Sequence, residues 1–233
     1  MRILVTRPLP EAERTAASLA RLGHSALIAP MLFVKALDAS FEASRYRGVV
    51  MTSGNAARAL AGHQDRNSLF ALPLFAVGQQ TARAARAIGF ESVTSADGDG
   101  GDLARLLRGA AGPLLYLAGN DRARDLPGEL LGYGVAVDTL IIYRADPATT
   151  FPEPVRAALE KGAVDGVLHF SRRTAAIFCD CISSAGLMTA VSRATHYCLA
   201  ARVTDPLVAA GFENVKVAPR PDEDALLSLV PSA

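Results

Sequence analysis

Short apolar runs without polar alternation recur along the chain, and each is followed by polar residues and then by a helical pattern. The clearest run is Gly48–Met51, which Thr52–Asn55 and the Ala-rich stretch Ala56–Leu60 follow. A short, continuous apolar run predicts a strand that is buried on both faces of a parallel sheet. A hydroxyl between strand and helix predicts a helix N-cap, because its oxygen can accept from a free N–H group of the first turn. We therefore predict a strand–cap–helix unit around Ser53.

The same pattern returns in the second half of the chain. Gly166–Phe170 is a second short, largely apolar run, and Ser171 and a further helical stretch follow it. Ser53 and Ser171 match at the same offset as the strands before them. Another pair of segments, 89–93 and 211–215, matches at nearly the same offset. We interpret these matches as an internal repeat of strand–helix units.

The remaining pattern predicts strands that alternate with helices, which is typical of parallel sheets in α/β proteins. Further strands are predicted at 3–5, 26–29, 74–77, 91–93, 114–117, 135–143, 197–199 and 215–217. Polar or Pro-rich segments at 35–44 and 145–154 interrupt the alternation and predict two crossings of the chain.

Two crossings predict two similar Rossmann/flavodoxin-like α/β lobes with parallel sheets. The first lobe takes residues 1–34 and 150–233, the second takes residues 39–143, and linkers lie at about 35–38 and 144–149. Open parallel sheets bind ligands beyond the carboxyl ends of their strands. We therefore expect an active-site cleft between the loop rims of the lobes.

Composition excludes several classes of function. The chain of 233 residues has a net charge of +1 and no Trp, so neither nucleic acid nor an acidic membrane surface is expected as a partner. No apolar run reaches membrane-spanning length. Cys179, Cys181 and Cys198 form an odd set without C-x-x-C spacing, and a strand begins almost at Met1. We expect a reduced, cytoplasmic protein without a signal peptide, and the scattered His predict no metal site.

The loops after the predicted strands provide hydroxyls, amides, Arg side chains and free helix-start N–H groups, but almost no carboxylates. This set suits a polyanionic ligand. It does not suit hydrolysis by paired carboxylates or a Ser–His–Asp relay, and no G-x-S-x-G or Walker loop occurs. For each Ser alone, a structural cap without a ligand remains the plainer alternative. The candidate binding residues are Thr6, Arg7, Pro8, Thr52, Ser53, Gly54, Asn55, Gly78, Gln79, Thr81, Gly119, Asn120, Ser171, Arg172, Ala201 and Arg202.

Two kinds of titratable side chain lie in apolar strands. His169 and His196 are in such strands, and a structural role is favoured for both. Tyr143 ends a strong apolar strand beside Arg144. The sequence leaves two roles open for Tyr143, packing and a weak acid that faces a ligand.

In their order and spacing, the loop fragments together resemble the uroporphyrinogen-III synthases over essentially the whole chain. The fragments that carry the resemblance are Thr6-Arg7-Pro8, Pro30, Thr52 to Ala56, Val77 to Ala82 with Gly89, Gly119 with Arg124-Asp125-Leu126, Tyr143-Arg144, and Phe170-Ser171.

The resemblance implies two α/β lobes joined by a two-stranded linker, and a lyase that uses no metal or cofactor. The implied substrate is hydroxymethylbilane, a linear tetrapyrrole with many carboxylates. The family closes it to uroporphyrinogen III and inverts the last pyrrole, ring D. Loss of the terminal hydroxyl and a spiro intermediate are implied steps. The resemblance also implies a cytoplasmic monomer in haem, cobalamin or chlorophyll-type biosynthesis, with transient contact with the preceding or following pathway enzyme.

Residue roles follow from the same resemblance. Tyr143 is the implied acid that helps water to leave. Arg7 and Arg172 are expected to add positive charge for the carboxylates. Helix caps that hold carboxylates are expected at Thr6, Ser53, Asn55, Thr81 and Ser171.

One loop departs from the pattern of the family. Where a second G-x-x-T loop is expected, the chain has Ala200-Ala201-Arg202-Val203-Thr204. Arg202 is a candidate to compensate for the lost Gly. Because of this departure, a family member that binds tetrapyrrole without turnover remains an alternative function.

Other classes of protein remain as alternatives. One is a non-catalytic tetrapyrrole or small-anion binding protein of the same two-lobed fold, including the periplasmic type, which the missing signal peptide disfavours. Another is a nucleotide-dependent transferase, which needs an acidic residue after the second strand to hold a ribose. Residues 29–31, Ala-Pro-Met, provide none.

Overall fold

The computed structural model describes residues 1–96, 100–122 and 124–231. The chain forms two compact units. Unit 1 contains Met1–Phe33 and the chain from Asp146 onward, and unit 2 contains Val34–Ala145. The chain therefore leaves unit 1, completes unit 2, and returns.

The strands in chain order are β1 (Arg2–Val5), β2 (Ser25–Ile28), β3 (Leu32–Ala36), β4 (Gly48–Met51), β5 (Leu74–Val77), β6 (Val93–Ala96), β7 (Leu114–Gly119), β8 (Val137–Pro147), β9 (Gly166–His169), β10 (Thr195–Cys198) and β11 (Val215–Val217). The α-helices are α1 (Glu11–Arg21), α2 (Gly54–Ala61), α3 (Gly78–Ile88), α4 (Gly100–Leu106), α5 (Leu126–Leu131), α6 (Glu153–Glu160), α7 (Arg172–Ser184), α8 (Asp205–Ala209) and α9 (Glu223–Leu227). The sequence pattern had predicted no helix at α6.

Each unit contains one sheet built on the same plan. Unit 1 has the strand order β11-β10-β9-β1-β2, and unit 2 has β3-β8-β7-β4-β5-β6. All pairs of unit 1 are parallel, as are those joining β8, β7, β4, β5 and β6 in unit 2. The β9-β10-β11 series in unit 1 corresponds to β4-β5-β6 in unit 2. The predicted α/β class with parallel sheets and an internal repeat is confirmed.

The crossings between the units are strands rather than polar connections. The chain passes from unit 1 to unit 2 within β3 and returns within β8, and these strands are neighbours in the sheet. The Leu37 N–H donates to Ile142 O at 2.8 Å, and the Ala148 N–H donates to Met31 O at 3.0 Å. From the first of these pairs to the second, the residue number falls in one strand and rises in the other. β3 and β8 therefore run antiparallel, as a two-stranded linker requires.

The central strands β4 and β9 are buried on both faces, which explains their unbroken apolar patterns. Val49 and Val50 belong to apolar clusters on opposite faces of the unit 2 sheet, and Val167 and Leu168 do the same in unit 1. Successive side chains of a strand point to opposite faces, so both faces need apolar residues when helices cover both.

The matched glycine at the start of each central strand has a packing reason. A Cβ on Gly166 would lie 2.8 Å from a ring carbon of Tyr197. A Cβ on Gly48 would lie 3.0 Å from the backbone oxygen of Pro73. Both positions therefore require glycine, and glycine occurs at this position in both halves of the repeat. Among the described helices, none has the length and apolar character needed to cross a membrane.

Candidate functional site

The carboxyl ends of β4, β7 and β8 lie side by side in unit 2. They bring together three side chains that are far apart in the sequence, Ser53, Tyr116 and Tyr143. The Thr52 and Tyr116 hydroxyls are hydrogen bonded at 2.9 Å. A second hydrogen bond joins the side chains of Ser53 and Tyr143. This edge of the sheet therefore carries a connected set of hydroxyl groups.

Tyr143 is aimed at this edge by an irregularity in the sheet. Its strand pairs in regular register up to Ala118 and Ile141, and then shifts so that Gly119 faces Tyr143. The Asn120 N–H donates to the backbone oxygen of Tyr143 at 2.9 Å and fastens the shifted pair. Such a bulge redirects the side chains that follow it.

The Tyr143 ring lies directly on Gly119. A Cβ at Gly119 would be 2.6 Å from the ring carbon Cζ and 2.8 Å from the hydroxyl oxygen. Gly119 is itself buried, so its observed role is to leave space for the phenol. Its predicted contact with a substrate stays a prediction.

The surroundings of Tyr143 set its acidity. Burial raises the pKa of the Tyr143 phenol above 10.0, and this effect is larger than the others. The hydrogen bond to Ser53 and the positive charge of Arg58 lower the pKa, whereas Tyr116 and Asp121 raise it further. Tyr143 is therefore a protonated phenol at neutral pH, which can donate a proton.

The first turn of α2 differs from the prediction at Asn55. Ser53 is the N-cap, since its oxygen accepts from the Asn55 N–H at 3.2 Å, and this prediction is confirmed. Asn55 lies inside the helix, and its side-chain oxygen accepts from Arg58 Nη2, so the prediction of a cap at Asn55 is wrong. Arg58 Nη1 lies 3.5 Å from where a Cβ of Gly54 would be, so the guanidinium folds back over the first turn.

The loop after β5 also differs from the prediction. α3 begins at Gly78, whose positive φ of 74° is possible without strain because glycine has no Cβ. Thr81 is buried within this helix and the N-cap is Val77, so the predicted cap at Thr81 is wrong. Gln79 is exposed at the same end of the helix.

The loop after β1 in unit 1 is engaged within the protein. Thr6 is fully buried and its hydroxyl donates to Leu168 O at 2.8 Å, whereas α1 has Pro10 as its N-cap. The predicted cap at Thr6 is therefore wrong. Arg7 donates to Glu223 at 2.8 Å, and its guanidinium lies 4.1 Å from the centre of the Phe170 ring.

Pro8, Ser171 and Arg172 of unit 1 also make contacts within the protein. The Pro8 oxygen accepts from the Ala12 N–H at 3.0 Å. Ser171 caps α7 as predicted, because its oxygen accepts from the Thr174 N–H at 3.1 Å. Arg172 is exposed and lies 3.3 Å from Asp205.

The loop after β10 shows the consequence of the missing glycine. A short 3₁₀ helix occupies Ala201–Val203, and α8 starts only after Thr204. Ala200 is extended, with φ −155°, whereas Gly78 at the matching place in unit 2 has a positive φ. The Thr204 hydroxyl donates to Ala201 O at 2.8 Å, and Arg202 is exposed. The helix therefore starts later here, and it is shorter.

His169 and His196 lie in the core, as their apolar context favoured, although His169 Nδ1 and His196 Nε2 have no hydrogen-bond partner in the described part of the chain. Both are fully buried, and His169 Nε2 lies 3.0 Å from His196 Nδ1. Burial lowers the pKa of His196 to about 4 and holds the pKa of His169 well below its ordinary value. Within the described ranges, no three His, Cys, Asp or Glu side chains are grouped as a metal site would need.

Sequence reasoning missed Tyr116 and Arg58. Tyr116 lies within an apolar run, so its hydroxyl contact with Thr52 has no local signal. Arg58 has a signal, because residues three apart on a helix are neighbours and Asn55 stands at that spacing.

The fold and this site define a class, an α/β protein of two repeated sheets whose hydroxyl-bearing loops follow the carboxyl ends of parallel strands. Residues 13–228 match the family model described as uroporphyrinogen-III synthase HemD. The chain belongs to the uroporphyrinogen-III synthase family.

Solved structures agree with this fold. A uroporphyrinogen-III synthetase from Helicobacter pylori is similar with a TM-score of 0.67 and 16% identity, over 98% of each chain. A mutant uroporphyrinogen III synthase from the thermophilic bacterium Thermus thermophilus has a TM-score of 0.55 and 20% identity, over 98% of this chain and 97% of that one. No curated protein matches the sequence at a significant level.

Proposed function

We propose that this protein is a uroporphyrinogen-III synthase that closes hydroxymethylbilane to uroporphyrinogen III, with inversion of ring D and loss of water. The family match over residues 13–228 carries this conclusion. The reaction is that of a lyase in tetrapyrrole biosynthesis.

We further propose that Tyr143 is the acid of the first step. Its phenol proton passes to the terminal hydroxyl of hydroxymethylbilane while the carbon–oxygen bond breaks. The lone pair of the nitrogen in the pyrrole that bears the hydroxymethyl group supplies the electrons, so water leaves and a phenolate remains on Tyr143. The observation that supports this role is a half-buried, protonated phenol at the edge of the sheet, hydrogen bonded to Ser53.

The substrate carboxylates need many donors rather than one strong site. Helix-start N–H groups and hydroxyls recur after β4, β5 and β9, and exposed Arg172 and Arg202 lie in the helical turns that follow β9 and β10 in unit 1. Each hydrogen bond to a charged group contributes about 2 kcal/mol. We therefore propose that binding is spread over several loops, and that no single loop substitution abolishes activity.

Product analysis tests the proposed function. Hydroxymethylbilane is generated in situ, the protein is added, and the oxidised porphyrin isomers are separated. We expect isomer III in excess of the spontaneous isomer I. Isomer I alone, from a protein with a cooperative unfolding transition, contradicts the enzyme and favours a non-catalytic tetrapyrrole-binding protein. The altered loop at Ala200–Thr204 would then be the first segment to restore.

We also propose that the protein acts as a cytoplasmic monomer. Light scattering at micromolar concentration should give the mass of one chain, 24.4 kDa. Transient contact with the preceding or following pathway enzyme is a separate proposal, and sedimentation of the two proteins together tests it.

A further inference from the structure

The hydrogen bond between Thr52 and Tyr116 joins two strands just beyond the end of their backbone pairing. The paired residues of β4 and β7 run as far as Met51 and Leu117. β7 continues to Gly119, whereas β4 ends at Met51. Thr52 follows directly, and its hydroxyl oxygen lies 2.9 Å from that of Tyr116. This bond therefore continues the link between the two strands where the backbone ladder has ended.

Packing fixes the side chain that makes this bond. Tyr116 pairs with Val50, two residues before Thr52. Residues two apart on a strand point to the same face of the sheet, so Val50 and Thr52 share the face of Tyr116. Tyr116 and Val50 belong to one apolar cluster, and only 4% of Tyr116 is exposed. The buried ring therefore holds its hydroxyl in place at the end of β4.

Both segments that this bond joins also contact Tyr143. At the end of β7, a Cβ on Gly119 would lie 2.6 Å from a carbon of the Tyr143 ring. The N–H group of the next residue, Asn120, donates to the Tyr143 backbone oxygen at 2.9 Å. After β4, Ser53 is hydrogen bonded to the Tyr143 side chain. The spacing between the ends of β4 and β7 therefore sets where the phenol lies.

We propose that Tyr116 is a positioning residue for the reaction: its bond to Thr52 holds the ends of β4 and β7 together and so keeps the Tyr143 phenol where it can donate its proton. The inference rests on the proposed function, because it needs Tyr143 to act as the acid. Thr52, which the sequence predicts to bind substrate, has the same positioning role. Tyr116 acts without touching the substrate.

The physical argument concerns small displacements of a catalytic group. Proton transfer requires the donor to lie within hydrogen-bond distance of its acceptor. A misplacement of about 1 Å can lower a rate by about 10²-fold. Loss of one hydroxyl bond allows a smaller displacement, because the backbone pairs between β4 and β7 remain. We therefore expect the loss of this bond to lower the rate by about tenfold.

Three single variants and one double variant test the bond by steady-state kinetics. Tyr116→Phe and Thr52→Val each remove one hydroxyl and keep the shape of the side chain. We expect each to lower kcat about tenfold with KM within about twofold. Thr52→Ser keeps the hydroxyl and should keep most of kcat. The double variant with Tyr116→Phe and Thr52→Val should lose no more than either single variant, because the bond is already absent in each.

¹³Cζ-tyrosine NMR reports on the phenol without any turnover. The chain has 5 Tyr, and Tyr143→Phe assigns the resonance of Tyr143. We expect Thr52→Val to move this resonance at neutral pH, and this variant is decisive because it leaves both phenols in place. Tyr46→Phe is the matched control. Its hydroxyl donates to Asp138 at 3.2 Å near the other end of β8, so its loss should change neither the resonance nor kcat.

The outcomes distinguish this inference from the proposed function. An unmoved Tyr143 resonance in Thr52→Val overturns the inference, whatever the activity. Losses of kcat that add in the double variant also overturn it, because the two hydroxyls would then act separately. A raised KM with unchanged kcat in Thr52→Val overturns it too, since Thr52 would then bind substrate directly. Failure of the parent protein to form isomer III overturns the proposed function, and the resonance still reports whether the bond places Tyr143.

Discussion

At the scale of single residues, the site depends on a phenol and on the space left for it. The Tyr143 ring lies so close to Gly119 that a Cβ there would be 2.6 Å from a ring carbon, and the Tyr143 hydroxyl bonds to Ser53. Tyr143 is separated from Ser53 by most of unit 2 in the sequence. The resemblance to the family identified Tyr143 as the candidate acid, but the contact with Gly119 was visible only in the folded chain.

Replacing the phenol tests the acid directly. Tyr143→Phe removes the proton and the bond to Ser53 while it keeps the ring on Gly119. We expect kcat to fall by about 10²-fold, the lower range for loss of a general acid, with isomer III still the main product. Because the protonated phenol is the active form, the parent loses activity as pH rises through the Tyr143 pKa, and the variant should lack that loss. A rate within twofold of the parent would falsify the role of Tyr143 as acid.

Filling the space under the ring tests its position. Gly119→Ala places a Cβ 2.6 Å from the Tyr143 ring, so the phenol has to move. We expect kcat to fall at least tenfold and the free energy of unfolding to fall by about 1–3 kcal/mol, as for overpacking. Gly62→Ala is the control, because its Cβ would lie 3.9 Å from the nearest atom, Ala59 O. Parental kcat in Gly119→Ala would show that the ring position is irrelevant.

At the scale of elements, two helices begin in the same way but in different surroundings. Ser53 and Ser171 both accept from an N–H group of the first turn. Ser53 also bonds to Tyr143, whereas the Ser171 hydroxyl lies 2.9 Å from that of Thr174. The repeat therefore supplies equal caps, and only the first is connected to the proposed acid.

Alanine at each cap should separate these roles. Ser53→Ala and Ser171→Ala should each lower the free energy of unfolding by about 1 kcal/mol, because each removes one cap bond. Only Ser53→Ala should raise the Tyr143 pKa, since the lost hydrogen bond favours the phenolate. Urea denaturation measures the first effect, and ¹³Cζ-tyrosine NMR measures the second. Equal titrations of Tyr143 in the two variants would contradict the connection through Ser53.

At the scale of the whole molecule, unit 1 contains an acid-sensitive pair that unit 2 lacks at the matching strands. His169 and His196 are stacked, with ring centres 5.3 Å apart, on the buried strands β9 and β10. Their outer ring nitrogens, His169 Nδ1 and His196 Nε2, have no hydrogen-bond partner in the described part of the chain. Neither ring can take up a proton without placing an unpaired charge in the core.

The sign of the pH dependence follows from the lowered pKa values. The unfolded chain binds protons on both rings near pH 6.5, whereas His196 in the folded chain does so only near pH 4. Stability from the pair is therefore fully present above about pH 6.5 and is lost as the pH falls toward 4. Between pH 7 and pH 5 we expect a loss of about 2 kcal/mol for each histidine, measured by urea denaturation.

A double variant provides the control for this prediction. His169→Leu with His196→Leu should remove most of the difference between the two pH values, because no ring remains to protonate. Val167→Ala, on the same strand and fully buried, should lower stability similarly at both pH values and keep the difference. The prediction is wrong if the double variant keeps the acid sensitivity of the parent.

Much of the fold could be predicted from the sequence because it depends on local rules. The strands β4 and β9 are short apolar runs, and Ser53 and Ser171 cap helices that begin just after them. The late start of α8 follows from Ala200, because alanine avoids the positive φ that Gly78 adopts. The predicted caps at Thr6, Asn55 and Thr81 were wrong, because each hydroxyl or amide has the right chemistry at the wrong position of its turn.

The sequence by itself determined the repeated strand–cap–helix units, the two sheets and the family. These features depend on periodicity and on hydrogen bonds between residues a few positions apart. Only the tertiary structure decided the partners within the site: Thr52 with Tyr116, Gly119 with Tyr143, and Arg7 with Glu223. Such pairs join segments that the order of strands in a sheet brings together, and one shift in register, as at Gly119, changes which side chain faces the site.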